Sequence, residues 1–227
     1  MIGKNVLVVA AHPDDEVLGV GGTIPLIRAR GGRVTVVIVT DGSSAQYAGD
    51  AEIGQQKNQS LQAAHQILGT DEVVRWDFPD MRLDTIEHVE LNRAFEILIG
   101  EHQFDTIFVH HAGDINLDHQ LIHRSVLVAA RPMPGQAVKS LLSYHVNSAT
   151  DWGALSGTNV FSPNVFIDID STIKTKLDAL QCYAVELRDY PHPRSLEAVE
   201  NRARVFGSEV GFRYAEAFQL LLYRGQV

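Results

Sequence analysis

Residues 12–16 read His12-Pro13-Asp14-Asp15-Glu16, one imidazole and three carboxylates in five consecutive positions. A neutral imidazole and a carboxylate three residues apart, His12 and Asp15, both reach a single zinc ion. Pro13 stiffens the turn between them. The remaining aspartate, Asp14, then lies beside any water at such an ion without being a ligand, where a general base belongs. A plainer reading of the same residues is an exposed acidic loop that caps the following helix.

A second polar run, His110-His111-Ala112-Gly113-Asp114-Ile115-Asn116-Leu117-Asp118-His119, comes about a hundred residues later. Ile122 and Val126 stand behind His119 at helical spacing, which turns its ring towards the core and makes it the candidate third zinc ligand. His123 either shares a metal with His119 as an i, i+4 pair or packs beside it, and packing is the simpler role. His110 extends an apolar run and reads as a satisfied buried histidine. His111 reads as a pocket-lining residue, and Asn116 as a helix N-cap.

Both polar runs leave the ends of expected strands. Val6 to Ala11, Val34 to Val39, Val73 to Trp76 and Thr106 to Val109 are short apolar runs rich in β-branched residues, as in strands buried on both faces. Between them lie helical patterns: Thr23, as cap, through Arg30; Gln59 to Leu68; a stripe of Leu91, Phe95, Leu98 and Ile99; and a stripe of Ile122, Val126 and Ala129. Further strands are expected at Leu141 to Val146, Val165 to Ile169 and Phe218 to Tyr223, with helices from Ser171 and from Leu196 to Phe206. Asn147 to Asn164, rich in Ser, Gly, Asn and Thr, reads as a surface loop. This alternation predicts an α/β protein: a three-layer, Rossmann-like, mostly parallel sheet with helices on both faces. Ligands gather beyond the carboxyl ends of the strands of such a sheet, which is where both polar runs fall.

The 227 residues are 45% hydrophobic and 21% charged, with no composition break, so one domain spanning 1–227 is expected. A net charge of −9 disfavours nucleic acid and anionic membrane surfaces as partners. The lone cysteine, Cys182, sits in an apolar helical pattern and reads as a small core residue. With neither a signal-like segment nor a membrane span in the sequence, a cytoplasmic location is the default expectation. A homo-oligomer is compatible with these residues.

Together the motifs resemble the LmbE/PIG-L superfamily of zinc-dependent N-deacetylases. The resemblance is carried by His12-Pro13-Asp14-Asp15-Glu16 with Gly19-x-Gly21-Gly22-Thr23 behind it, Thr40-Asp41-Gly42, Leu68-Gly69, Phe78-Pro79-Asp80, Asp118-His119 and Tyr214-Ala215-Glu216-Ala217-Phe218. It implies a hydrolase that removes an N-acyl group, in the first place acetyl, from an amino sugar or similar small amine. Its Zn2+ ligands would be His12, Asp15 and His119, and its general base Asp14. The zinc would bring the pKa of its water down to roughly 7.

Two departures bear on the chemistry. Where the family often has a histidine three residues before the last ligand, this chain has Asn116. An amide donates a hydrogen bond to an oxyanion but cannot deliver a proton. The leaving amine's proton then comes from Asp14, or from a histidine such as His145 or His192. Many relatives also carry an arginine and a glutamate where Lys57 and Ser60 align, so substrate contacts are expected to differ from theirs. Lys57, His111, His145 and His192 are the candidate contacts, a merely structural role being the plainer reading of His145 and His192. Two rivals remain at this point: a zinc hydrolase of another amide or an ester, and a non-catalytic nucleotide-binding protein that uses the glycines as a phosphate loop.

Overall fold

The computed structural model describes residues 1–42, 51–153, 156–157 and 159–225. Seven strands form one sheet: β1 (Asn5–Ala10), β2 (Arg33–Thr40), β3 (Glu72–Phe78), β4 (Thr106–His110), β5 (Ser140–Tyr144), β6 (Val165–Asp168) and β7 (Ala215–Tyr223), in the order β3-β2-β1-β4-β5-β7-β6. The five strands from β3 to β5 are parallel, and β7 runs antiparallel to both β5 and β6. The helices are α1 (Asp15–Val20), α2 (Thr23–Ala29), α3 (Ala51–Leu68), α4 (His88–His102), α5 (Leu117–Ala129), α6 (Ile173–Gln181) and α7 (Leu196–Val210).

Side-chain alternation divides the core into two halves. Val6, Val8, Val36 and Ile38 face α1, α2, α3 and α6, packing on Val17, Ile24, Leu61 and Leu180. Leu7, Val9, Val37 and Val39 face α4 and α5, packing on Phe95, Ile99, Ile122 and Val126. This is the expected three-layer α/β architecture. Among the described residues, no helix is long and apolar enough to cross a membrane.

The chain builds outwards from β1 to β3, then returns to place β4 and β5 on β1's other side. Strand order therefore reverses between β1 and β4, opening a crevice beyond their carboxyl ends. His12 to Glu16 and His110 to His119 are the segments that leave those two ends.

Three expectations are corrected, and one rival reading loses its support. Thr23 does not cap α2: the cap position is Gly22, and the Glu216 carboxylate accepts from the N–H groups of both Gly22 and Thr23, each at 2.8 Å. A carboxylate from a distant strand thus does what a local hydroxyl was expected to do. The glycines serve close packing, which accounts for them without a phosphate loop: a Cβ on Gly19 would fall 2.1 Å from the Tyr144 ring and one on Gly22 2.8 Å from Ile169. Helix α3 opens at Ala51, ahead of the Gln59 expected as its start, and residues 43–50 before it lie outside the described residues. Asn147 to Thr150 are buried rather than on the surface. Their polar groups are used internally: Thr150 Oγ1 accepts from Val146 N at 2.8 Å and donates to Asp114 Oδ1 at 2.6 Å.

Candidate metal centre

Asp14 links β1 to α1 with φ at 121°, a conformation that L side chains rarely adopt. Its N–H donates to Glu16 Oε2 at 3.1 Å, and Tyr183 Oη donates to Glu16 Oε1 at 2.8 Å. Glu16 thereby braces a strained turn, which directs Asp14 and Asp15 to different tasks.

Asp15, His12 and His119 converge at the crevice floor. Asp15 Oδ2 lies 3.3 Å from His12 Nδ1 and 3.3 Å from His119 Nε2, and the two ring nitrogens are 3.4 Å apart. Donors held about 2.0–2.1 Å from a tetrahedral zinc stand about 3.3–3.4 Å from one another, so the triangle fits such an ion. Asp15 Oδ1 is buried with no hydrogen-bond partner among the described residues, a free donor on the same carboxylate.

The outer nitrogens explain why the inner ones face each other. His119 Nδ1 sits 2.8 Å from Asp114 Oδ2, which fixes the proton there and leaves Nε2 as the lone pair. His12 Nε2 lies 3.2 Å from Asp80 Oδ1 and 3.4 Å from Asp118 Oδ2, which leaves Nδ1 turned inward. Burial opposes charge on both rings, yet the surrounding carboxylates raise the pKa of each above the ordinary histidine value. Burial likewise opposes ionisation of Asp15, but His119 and His110 hold its carboxyl well below the usual range. Such a centre is built to keep positive charge, which a cation supplies. Two overlapping groups, His110-Asp114-His119 and His12-Asp80-Asp118, also bring ligating atoms together. His110 Nε2 is already engaged by the Ala11 N–H at 2.8 Å, and Asp114 by His119 and Thr150.

Asp14 lines a cavity of about 280 Å3 together with residues that include His12, Lys57, Asn116, His192 and Arg194. Burial pushes its carboxyl up to about 8, against the pull of Arg194 and with added repulsion from Asp15, Glu186 and Glu16. Asn116 caps α5, its Oδ1 accepting from Asp118 N at 2.9 Å, while Nδ2 is 3.4 Å from Met81 Sδ. His192 Nδ1 accepts from Arg194 N at 3.0 Å. Lys57 reaches Gly42 O at 2.6 Å and Glu186 Oε1 at 2.9 Å.

Two residues expected at the substrate lie apart from this cavity. His111 Nε2 is 2.8 Å from Asn159 O, and His145 Nε2 is 3.0 Å from Asp151 Oδ1 beside Phe161 and Phe206. His123 Nδ1 lies 2.8 Å from His110 O, so this nitrogen is engaged by the backbone. Sequence reasoning passed over Asp114, Asp80, Glu186 and Arg194 as site residues. Asp114 could have been found from its place in the His110–His119 run, whereas Arg194 lies 180 residues from Asp14 with no local mark of its role.

A convergent His-Asp-His donor set and a separate carboxylate, at the switch point of a doubly wound sheet, define a metal-assisted class of α/β enzyme. Residues 7–130 match the GlcNAc-PI de-N-acetylase (PIG-L) family, and the chain belongs to that family of deacetylases. It is similar to the uncharacterized deacetylase YaiS of Escherichia coli (strain K12), at 28% identity over 187 residues, 78% of this chain and 89% of that protein. It is similar also to the diacetylchitobiose deacetylase of Thermococcus kodakarensis, at 22% identity over 240 residues, 96% of this chain and 83% of that protein. The solved structure of GalB, the 4-carboxy-2-hydroxymuconate hydratase of Pseudomonas putida KT2440, shares the fold with a TM-score of 0.77 at 23% identity, covering 99% of each chain. A hydratase on the same fold shows that architecture alone does not select the reaction. The expected superfamily and deacetylase activity are borne out.

Proposed function

We propose that this chain removes an N-acetyl group from an amino sugar or related small amine, with zinc as its cofactor and Asp14 as its proton carrier. The observation that carries this reading is the triangle of His12, Asp15 and His119 donors, 3.3–3.4 Å on each side, with Asp14 beside it at the cavity. Zinc held there would supply Lewis-acid activation of water and of the acyl carbonyl.

The chain's own residues do the rest. Asp14 Oδ1, which has no protein partner among the described residues, takes a proton as water adds to the acyl carbon. Asp14 then returns that proton to the nitrogen as the C–N bond breaks, and water's second proton passes from the new carboxyl group to the amine, so the acyl group departs as a carboxylate and the nitrogen as a protonated amine. Asn116 Nδ2 offers a donor to the developing oxyanion. Lys57 and His192 line the cavity and are taken as substrate contacts. His111 and His145 are left out of the site because neither lines the cavity and the Nε2 of each is engaged elsewhere.

A cavity of about 280 Å3 suits a small ligand. The net charge of −9 supports a small-molecule enzyme without a nucleic-acid partner. The same reading takes 1–227 as one domain, located in the cytoplasm, alone or as a homo-oligomer.

The test is amine release from a panel of N-acetylated sugars by zinc-loaded wild type and Asp14→Ala, with metal content measured in both. Activity in the wild type, lost in a variant that keeps its metal, is the expected result. A wild type that binds zinc and releases no amine overturns the substrate class. A wild type that binds no metal overturns the whole reading.

A further inference from the structure

Asp14 is held from two sides. Glu16 fixes its backbone, as described above, and Arg194 meets its side chain: Nη1 lies 3.1 Å from Asp14 Oδ2. The guanidinium is in turn fixed at several points. Its Nε donates to Ser148 Oγ at 3.1 Å, and Nη1 lies 3.9 Å from Glu186 Oε2. Glu186 is tied by its other oxygen to Lys57 Nζ at 2.9 Å. Lys57, Glu186, Arg194 and Asp14 therefore form a string of alternating basic and acidic groups along the cavity wall.

That string joins three segments distant in sequence: the turn after β1, α3, and the connection between α6 and α7. Ser148 belongs to the buried part of the polar loop and has φ at 74°, so its hydroxyl too is presented by a constrained backbone. Ser148 N donates to Asp151 Oδ2 at 2.9 Å, which anchors the loop.

We propose that Arg194 is a positioning residue for Asp14, holding Oδ2 so that Oδ1 alone faces the cavity, with Ser148 and the Glu186–Lys57 pair holding Arg194. The inference rests on the reading of Asp14 as the proton carrier. A carboxylate can rotate to exchange its two oxygens, and a bond to Oδ2 removes that freedom. The planar guanidinium suits the task because it addresses Asp14 and Ser148 from different nitrogens at once, which an ammonium on a flexible stem does not reproduce. Misplacing a reacting group by about 1 Å costs about a hundredfold in rate, which sets the scale of the expected effect.

The test compares Arg194→Met and Arg194→Lys with wild type. In crystal structures of the zinc-loaded proteins, the carboxylate of Asp14 is expected to leave its wild-type position in Arg194→Met while His12, Asp15 and His119 keep theirs. This readout needs no substrate. If Asp14 stays in place in Arg194→Met, the proposal is overturned even where the deacetylase reading holds.

On the best substrate of the panel, Arg194→Met is expected to lower kcat about a hundredfold with KM changed little. In an Asp14→Ala background the same substitution is expected to cost nothing further. A rise in KM with kcat intact makes Arg194 a substrate contact and overturns the proposal, as do losses that add to those of Asp14→Ala. Arg194→Lys guards against a folding defect. If it melts with wild type and matches wild-type kcat, the guanidinium geometry is not needed and the proposal fails. If wild type itself releases no amine from any panel member, the deacetylase reading fails and the crystallographic comparison alone decides the role of Arg194.

Discussion

Asp114 Oδ2 stands 2.8 Å from His119 Nδ1, while its other oxygen accepts from Thr150 Oγ1 at 2.6 Å. The carboxylate is buried, and this pair of contacts sets both the tautomer and the orientation of the His119 ring. Asp114→Ala should therefore weaken zinc binding about 10–100-fold without removing a ligand. Competition with a chromophoric chelator measures this directly. Unchanged affinity would show that the packing of α5 alone orients His119.

Asn116 has two separable roles. Its Oδ1 caps α5, and its Nδ2 is the group assigned to the oxyanion. Asn116→Ser keeps a capping oxygen and removes the amide donor, whereas Asn116→Ala removes both. Both variants should lose about a hundred- to a thousandfold in kcat if the donor acts. Only Asn116→Ala should also lose about 1 kcal/mol of stability, seen in its urea midpoint. Full activity in Asn116→Ser would remove the residue from the chemistry.

What the sequence disclosed follows from distance along the chain. His12, Asp14 and Asp15 share one turn at the end of an apolar strand, so spacing and position both point to them. His119 showed itself by the Ile122 and Val126 stripe behind it. Arg194 and Glu186 acquire their partners only when the α6–α7 connection is set against α3, the turn after β1 and the loop after β5, and nothing local records that. Asn147 to Thr150 misled because polar composition signals solvent on average, while these groups are spent on Asp114, Asp151 and the backbone. Glu216 appeared only as part of a family motif, and its hold on α2 became visible only when β7 was set beside α2 and α6.

That hold can be tested through its cation. Lys176 Nζ lies 2.6 Å from Glu216 Oε1 and 2.7 Å from Leu18 O, and both side chains of the pair are buried. Lys176→Met would leave the carboxylate with the Gly22 and Thr23 N–H groups and no countercharge. Breaking a buried pair from one side typically costs about 3–5 kcal/mol. For a chain of this size that corresponds to a fall of roughly 6–20 °C in Tm. Lys176→Met combined with Glu216→Gln should recover part of the loss, because the orphaned charge is gone. A double variant no more stable than Lys176→Met would show that packing of the lysine stem, and not its charge, is what matters.

Asp151 gives the clearest dependence on pH. Burial raises its pKa, but this is outweighed by His145 at 3.0 Å, the Ser148 N–H and Arg202, so that the carboxyl titrates at about 2. A carboxyl depressed in the folded state stabilises it above the unfolded pKa of about 3.9 and loses that contribution as pH falls towards the folded value. The window is thus roughly pH 4 down to pH 2. Asp151 is partly open to solvent, which discounts the full shift to about 1–2 kcal/mol. At pH 6, Asp151→Asn should be less stable than wild type by that amount, seen as a lower urea midpoint. The gap should narrow below pH 4 as wild-type Asp151 takes up its proton. A gap of constant size from pH 6 to pH 3 would mean that the amide disturbs packing around Phe161 and Phe206, with ionisation of Asp151 playing no part.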